Sequence, residues 1–259
     1  MLFPIGDDNR QISGPALVKK GLVLANLVVF FLLQRAGANE AFTYGWSVIP
    51  MEITHGIDLI QAQAVHLSGQ SVQIPQAPGP TPIYLTILSA MFMHGGYLHI
   101  FGNMLYLWIF GDNVEHRFGS LAFLAFYLAS GIAASVAQIA LSPDSVIPSL
   151  GASGAISGVL GAYLVLFPKN RVRALLFYII VSVPAVVVIG LWIVFQFVNG
   201  YGAIMVSEET LGGVAYGAHV GGFLTGVVLA FLLRAVIPFP ERPNVLERAE
   251  GIERERRGR

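Results

Sequence analysis

Residues 149–167 read SLGASGAISGVLGAYLVLF, nineteen positions without one charged side chain and with glycine at 151, 154, 158 and 161. A bilayer core needs about 20 apolar residues per helix, so this stretch predicts a membrane-spanning helix. Its glycines predict backbone-to-backbone packing, Gly154–Gly158 being a GxxxG pair. Pro148 and Gly151 predict that the helix begins just before Ser153, placing that serine in the first turn. There the backbone N–H groups lack intrahelical acceptors and the helix dipole favours negative charge. Two local readings stand side by side: Ser153 caps its helix, or its hydroxyl works chemically beside a ready set of oxyanion donors.

The rest of the chain has the same character. Of 259 residues, 55% are hydrophobic and 12% charged, and the mean hydropathy is +0.68. Soluble domains carry about 25% charged residues, so a soluble globular enzyme is excluded. A net charge of zero without a basic stripe excludes nucleic-acid binding. The absence of cysteine removes disulfides and thiolate chemistry. Charge-free stretches predict six spans: Gly21–Leu33 (extended at both ends), Tyr84–Phe110, Ser120–Leu141, Ser149–Phe167, Ala174–Val198 and Leu211–Leu233. The second is too long for one span, and its His94-Gly95-Gly96 break predicts a helix starting near Tyr97. Of the fifteen Lys and Arg residues only Arg35 falls outside when both termini are placed in the cytoplasm. The first apolar stretch lacks a small-residue cleavage site, so the N-terminus is expected to be retained. The loop Ala36–Pro80 is expected to lie in the interface, and the charged tail from Glu241 to be solvated.

Ionisable residues within spans are functional candidates, and three stand out: His94, His99 and His219. Counting about 1.5 Å per residue from the cytoplasmic ends puts Ser153 near 24 Å, His219 near 22 Å, His99 near 20 Å and Asn103 near 14 Å. Sequence spacing therefore permits one polar cluster on three helices that run the same way. Gly217–Gly221 and Gly222–Gly226 add two GxxxG pairs to the last span, which would bring His219 toward Ser153. His99 and Asn103, four residues apart, share a helix face, and both can donate hydrogen bonds. No carboxylate is placed to orient His219, so the two residues would form a dyad with the imidazole held by packing and its tautomer set by the serine or by water. A metal site is disfavoured, because no Asp, Glu or Cys within the spans completes a ligand set.

Gly151-Ala152-Ser153-Gly154-Ala155, His94-Gly95-Gly96-Tyr97-Leu98-His99 with Asn103, and Gly217-Ala218-His219-Val220-Gly221-Gly222 together resemble rhomboid intramembrane serine proteases. Gly111 and Glu115 fit the same pattern, and the resemblance covers about residues 17–235. It implies an all-α polytopic membrane protein, a six-transmembrane-helix rhomboid bundle with both termini cytoplasmic. The expected organisation is a cytoplasmic segment (1–16), a protease domain (17–237, with the external loop about 36–83) and a charged tail (238–259). It further implies Ser153 as nucleophile, His219 as general base, and His99, Asn103 and the Ser153 N–H as oxyanion donors. His94 resembles the family's structural histidine. The implied substrates are single-span membrane proteins cut near the outer face, in a prokaryotic cytoplasmic membrane, with lipid as surroundings and no cofactor. Oligomeric state is left open.

Two departures from the family pattern stand out. Tyr84–Ala90 lacks the Trp-Arg pair that often anchors the first external loop. Ser157 replaces the aromatic ring that stacks on the catalytic histidine, a role open to Tyr163 or Tyr216. Pro184 and Gly190 are expected to let the fifth span bend for substrate access, with Asn199–Thr210 capping the water cavity. The rival readings are a non-catalytic relative that binds membrane helices and a small transporter with the polar cluster as its path.

Overall fold

The computed structural model describes residues 2–9, 14–67, 70–206 and 215–238. The chain runs β1 (Leu2–Asp7), α1 (Leu17–Val28, continued as a wider π-helical turn to Leu33), α2 (Glu40–Gly45), α3 (Pro50–His55), β2 (Gln63–Leu67), β3 (Gln70–Ile74), α4 (Thr86–Ser89), α5 (Tyr97–Phe118), α6 (Ser120–Leu141), α7 (Ser153–Leu166), β4 (Arg171–Leu176), β5 (Ile179–Pro184), α8 (Ala185–Val206) and α9 (Tyr216–Val236). Helices dominate. Among the described residues α6 and α9 are each long and apolar enough to cross a membrane, and Ile83–Phe92 with α5 makes a third span if that bent pair crosses once. The bend is 76° and falls at His94-Gly95-Gly96, as the sequence predicts.

The expectation of an all-α chain is corrected by five strands. β1 pairs antiparallel with β4 and β4 with β5, while β2 and β3 form a separate hairpin. The span read as Ala174–Val198 is accordingly two elements. Its first half is rich in β-branched Ile179, Ile180, Val181 and Val183, which suit an extended chain, and it folds back as the β4–β5 hairpin. Pro184 ends β5 and lies just before α8, so it does not bend that helix, and Gly190 sits in the helix interior. The predicted loop at Asn199 is helical to Val206; residues 207–214 and the tail from 239 lie outside the described residues.

Glycine decides how α9 packs, and its two faces meet different helices. A Cβ on Gly222 would strike the carbonyl oxygen of Gly154, and one on Gly226 the backbone of Gly158, so this pair lies directly against α7. Gly217 and Gly221 instead face α6, where a Cβ would meet Leu141 and Ala137 respectively. No flexible side-chain end is available to yield at Gly226. Gly226→Ala is therefore expected to cost about 1–3 kcal/mol from overpacking, read as a melting temperature lowered by several degrees in detergent. An unchanged melting temperature would mean that α7 and α9 separate more easily than this contact allows.

The other elements brace this core. The Glu115 carboxylate of α5 accepts from the backbone N–H groups of Val18 at 3.0 Å and Lys19 at 2.7 Å, and from the Ser120 hydroxyl at 2.7 Å. It thus serves the unpaired donors and positive end of α1. The long loop is folded against the chain that leads to Ser153: Val48 and Ser149 exchange backbone hydrogen bonds at 3.0 and 2.7 Å, and Met51 N–H donates to Ser145 O. The Ser89 hydroxyl donates to Trp46 O at 2.8 Å, and the Gln34 side chain holds both backbone groups of His94 at 2.9 and 3.0 Å. These contacts anchor the loop in a chain without the Trp-Arg pair.

At the end of α7 away from Ser153, Asp7 of β1 accepts at Oδ2 from the Tyr163 hydroxyl and from Asn113 Nδ2, each at 2.6 Å. Burial pushes the Asp7 carboxyl up to about 7, with Asp112 and Asp8 acting in the same direction. The folded chain thus holds a proton that the unfolded chain releases near the ordinary value of 3.8. The stabilisation is full below that value and is lost as pH rises through about 7. Asp7→Asn keeps an acceptor for both donors and is expected to flatten the melting-temperature profile over this window. Parallel profiles for the two proteins would refute the assignment.

Candidate active site

Ser153 is the first residue of α7, and the approach to it depends on Gly151. That residue adopts φ +135°, and a Cβ there would lie 2.8 Å from Cε1 of His99 and 3.6 Å from the Ser153 hydroxyl. Glycine is thus needed both for the backbone conformation and to let the His99 ring sit beside the serine. The N–H of Gly151 donates to Ala90 O at 2.8 Å, tying the turn to the chain just before the bend.

His219 enters from α9, one turn past its start. Its Nε2 lies 2.7 Å from the Ser153 hydroxyl, and the residue is buried. Of the two local readings of Ser153, the hydroxyl engages His219. The α7–α9 glycine contacts bring the two helices this close.

His99 and Asn103 lie on one face of α5, as their spacing predicts. His99 Nδ1 accepts from Gly95 N–H at 3.2 Å, which leaves Nε2 as the protonated, donating nitrogen on the side of Gly151. Asn103 is buried, and its Nδ2 has no hydrogen-bond partner among the described residues. A buried amide without a partner is costly, and such groups recur where a site is built to meet a developing charge. A cavity of about 30 Å³ opens beside the serine, with Ser135, Ser149, Gly154 and Ala218 among its walls.

Sequence reasoning missed two residues on α8. Gln196 Oε1 lies 2.8 Å from His219 Nδ1, and the Trp192 ring sits 5.8 Å from the imidazole centroid at 37°. The aromatic neighbour of His219 is therefore Trp192, rather than Tyr163 or Tyr216. Tyr163 is spent on Asp7 at the far end of its helix, and the Ser157 hydroxyl donates to Ser153 O at 2.6 Å. The signal was present: Trp192 and Gln196 are four apart, the spacing that singled out His99 and Asn103, in an otherwise apolar segment.

These features define a helical membrane protein whose buried polar centre is a serine–histidine pair on two glycine-packed helices. A family model described as the Rhomboid domain matches residues 83–236, and the chain belongs to the rhomboid family. Rhomboid protease GluP of Bacillus subtilis is 36% identical over 147 residues, 57% of this chain and 25% of that protein. Rhomboid protein 1, mitochondrial, of Saccharomyces cerevisiae is 32% identical over 157 residues, 59% of this chain and 43% of that protein. RHOMBOID-like protein 2 of Arabidopsis thaliana is 35% identical over 147 residues, 57% of this chain and 41% of that protein. The match thus spans less than half the length of each of these relatives.

Proposed function

We propose that this chain is an intramembrane serine endopeptidase that cuts single-span membrane proteins near the outer face of the bilayer. The observation that carries the reading is the 2.7 Å approach of His219 Nε2 to the Ser153 hydroxyl within a buried, helix-packed site. His219 takes the Ser153 proton as Oγ bonds to the scissile carbonyl carbon. The resulting oxyanion accepts from Asn103 Nδ2, His99 Nε2–H and the Ser153 N–H of the first helical turn. The imidazolium then protonates the amine nitrogen as the C–N bond breaks. Water, deprotonated by His219, attacks the acyl-enzyme carbonyl; the bond from that carbon to Ser153 Oγ breaks, Oγ takes the proton back from the imidazolium, and the new carboxyl terminus leaves. No step calls on a metal or cofactor.

The small cavity beside the serine suits a short side chain at the cut, and a glycine there also weakens the substrate helix, which helps to expose its carbonyl. In this reading residues 17–237 form a six-span protease domain with both termini cytoplasmic, and residues 238–259 are a tail outside it. A prokaryotic cytoplasmic membrane is the expected location.

The test is covalent labelling by a fluorophosphonate, with cleavage of a reporter single-span substrate in liposomes. The wild type is expected to label at Ser153 and to cleave; His219→Ala should do neither. Labelling elsewhere, or cleavage that survives Ser153→Ala, would overturn the assignment.

A further inference from the structure

A serine–histidine pair with no carboxylate beside the histidine among the described residues has an unsolved problem. The neutral imidazole has two tautomers, and only the one with its proton on Nδ1 leaves Nε2 free to take the Ser153 proton. Sequence reasoning left this choice to packing, the serine or water. We propose that Gln196 is a positioning residue that makes the choice, its carbonyl oxygen accepting from His219 Nδ1–H and so holding Nε2 as the base. The inference rests on the protease reading and deepens it.

Three observations support it. The 2.8 Å separation of Gln196 Oε1 and His219 Nδ1 is that of a good hydrogen bond. Gln196 and His219 are only 5% and 8% exposed, so bulk water competes poorly for Nδ1. Trp192, one turn earlier on the same face of α8, lies beside the imidazole with ring centroids 5.8 Å apart. Helix α8 thus meets the ring twice, through the Gln196 hydrogen bond at Nδ1 and through the tilted Trp192 ring beside it.

The chemistry of the membrane explains an amide in place of a carboxylate. An orienting Asp or Glu would bury a charge at a depth where an unpaired one is expensive. The glutamine oxygen offers a comparable lone pair without that charge. It also stabilises the imidazolium less, which makes Gln196 an orienter first. An amide has a second weakness: turned over, its NH2 group would face Nδ1 and drive the proton onto Nε2, where it blocks proton transfer from Ser153. Among the described residues the other titratable groups near His219 are Ser153 on α7 and His99 on α5; Gln196 and Trp192 are the α8 side chains that touch it.

The test uses the full chain in nanodiscs and compares wild type, Gln196→Leu and Gln196→Glu for kcat, KM, pH profile and melting temperature. Gln196→Leu keeps the bulk and removes the acceptor; kcat is expected to fall about 10- to 100-fold with KM changed less than about twofold. Gln196→Glu restores an acceptor that cannot present a donor when ionised. It should recover most of kcat and move the acidic limb of the pH profile upward, because a carboxylate beside the ring favours the imidazolium. Gln196→Leu with kcat within about threefold of wild type would overturn the proposal. So would equal losses in both variants accompanied by a lowered melting temperature, which would make Gln196 a packing residue. Ser153→Ala, run in parallel, separates the two levels: if it still cleaves, the protease reading itself fails.

Discussion

Ser153→Ala and His219→Ala are each expected to lower cleavage of a single-span substrate by about 10⁴- to 10⁶-fold. The double variant should be hardly worse than either single one. The reason is mechanistic unity: the serine hydroxyl is a poor nucleophile until Nε2 accepts its proton, so removing either member removes the same step. The two losses therefore do not add. Folding should be nearly untouched, because Ser153 is small and the glycine contacts at Gly222 and Gly226 bring α7 and α9 together without it. The measurement is kcat/KM for wild type, both single variants and the double variant, with melting temperatures alongside. A transporter built on the same polar cluster would give the contrary pattern, sensitive to His99 and His219 and indifferent to Ser153. A helix-binding protein without catalysis would show no wild-type cleavage to lose.

What the sequence reveals and hides follows from which physical signals are local. Depth is local: counted from the charged ends of two helices that run the same way, Ser153 and His219 fall at matching heights, so the sequence permits a cluster across 66 positions without proving the contact. The first turn of α7 is local too, set by Pro148 and Gly151. The orientation of each glycine face is not. Three GxxxG pairs were legible, but which helix each one meets depends on the rotation of α9, and Gly217–Gly221 turned out to face α6. The β4–β5 hairpin was hidden for another reason. Hydropathy measures apolarity and not shape, and residues 174–184 are apolar enough to pass for a span. Its β-branched run and terminal proline were the available clue. Gln196 carries no charge, and so escapes a reading of the sequence that expects a carboxylate beside the histidine, whereas a buried, apolar site favours a neutral acceptor.

Asn103 supplies the second large effect. Its Nδ2 is buried with no protein partner among the described residues, so the amide is free to donate to an acceptor that the reaction generates. Asn103→Ala is expected to lower kcat about 10²- to 10³-fold, the usual loss for one oxyanion donor, or about 2.7–4 kcal/mol of transition-state stabilisation. KM should change little, because the charge develops only as Ser153 Oγ bonds to the carbonyl. Melting temperatures are measured alongside, so that a loss of kcat through unfolding is told apart from the loss of the donor. Asn103→Asp makes the argument sharper. It preserves the shape of the side chain while replacing the donor with an oxygen, and in its ionised form it repels the oxyanion. A loss at least as large as that of Asn103→Ala is therefore expected. Wild-type kcat in Asn103→Asp would show that the amide donates to nothing in the transition state, and would leave His99 Nε2 and the Ser153 N–H as the two donors. Combining Asn103→Ala with Ser153→Ala separates stabilisation of the oxyanion from help to the nucleophile. Once the serine is gone no oxyanion forms by attack of Oγ, so the asparagine substitution should cost less there than in the wild type, leaving only its effect on residual attack by water.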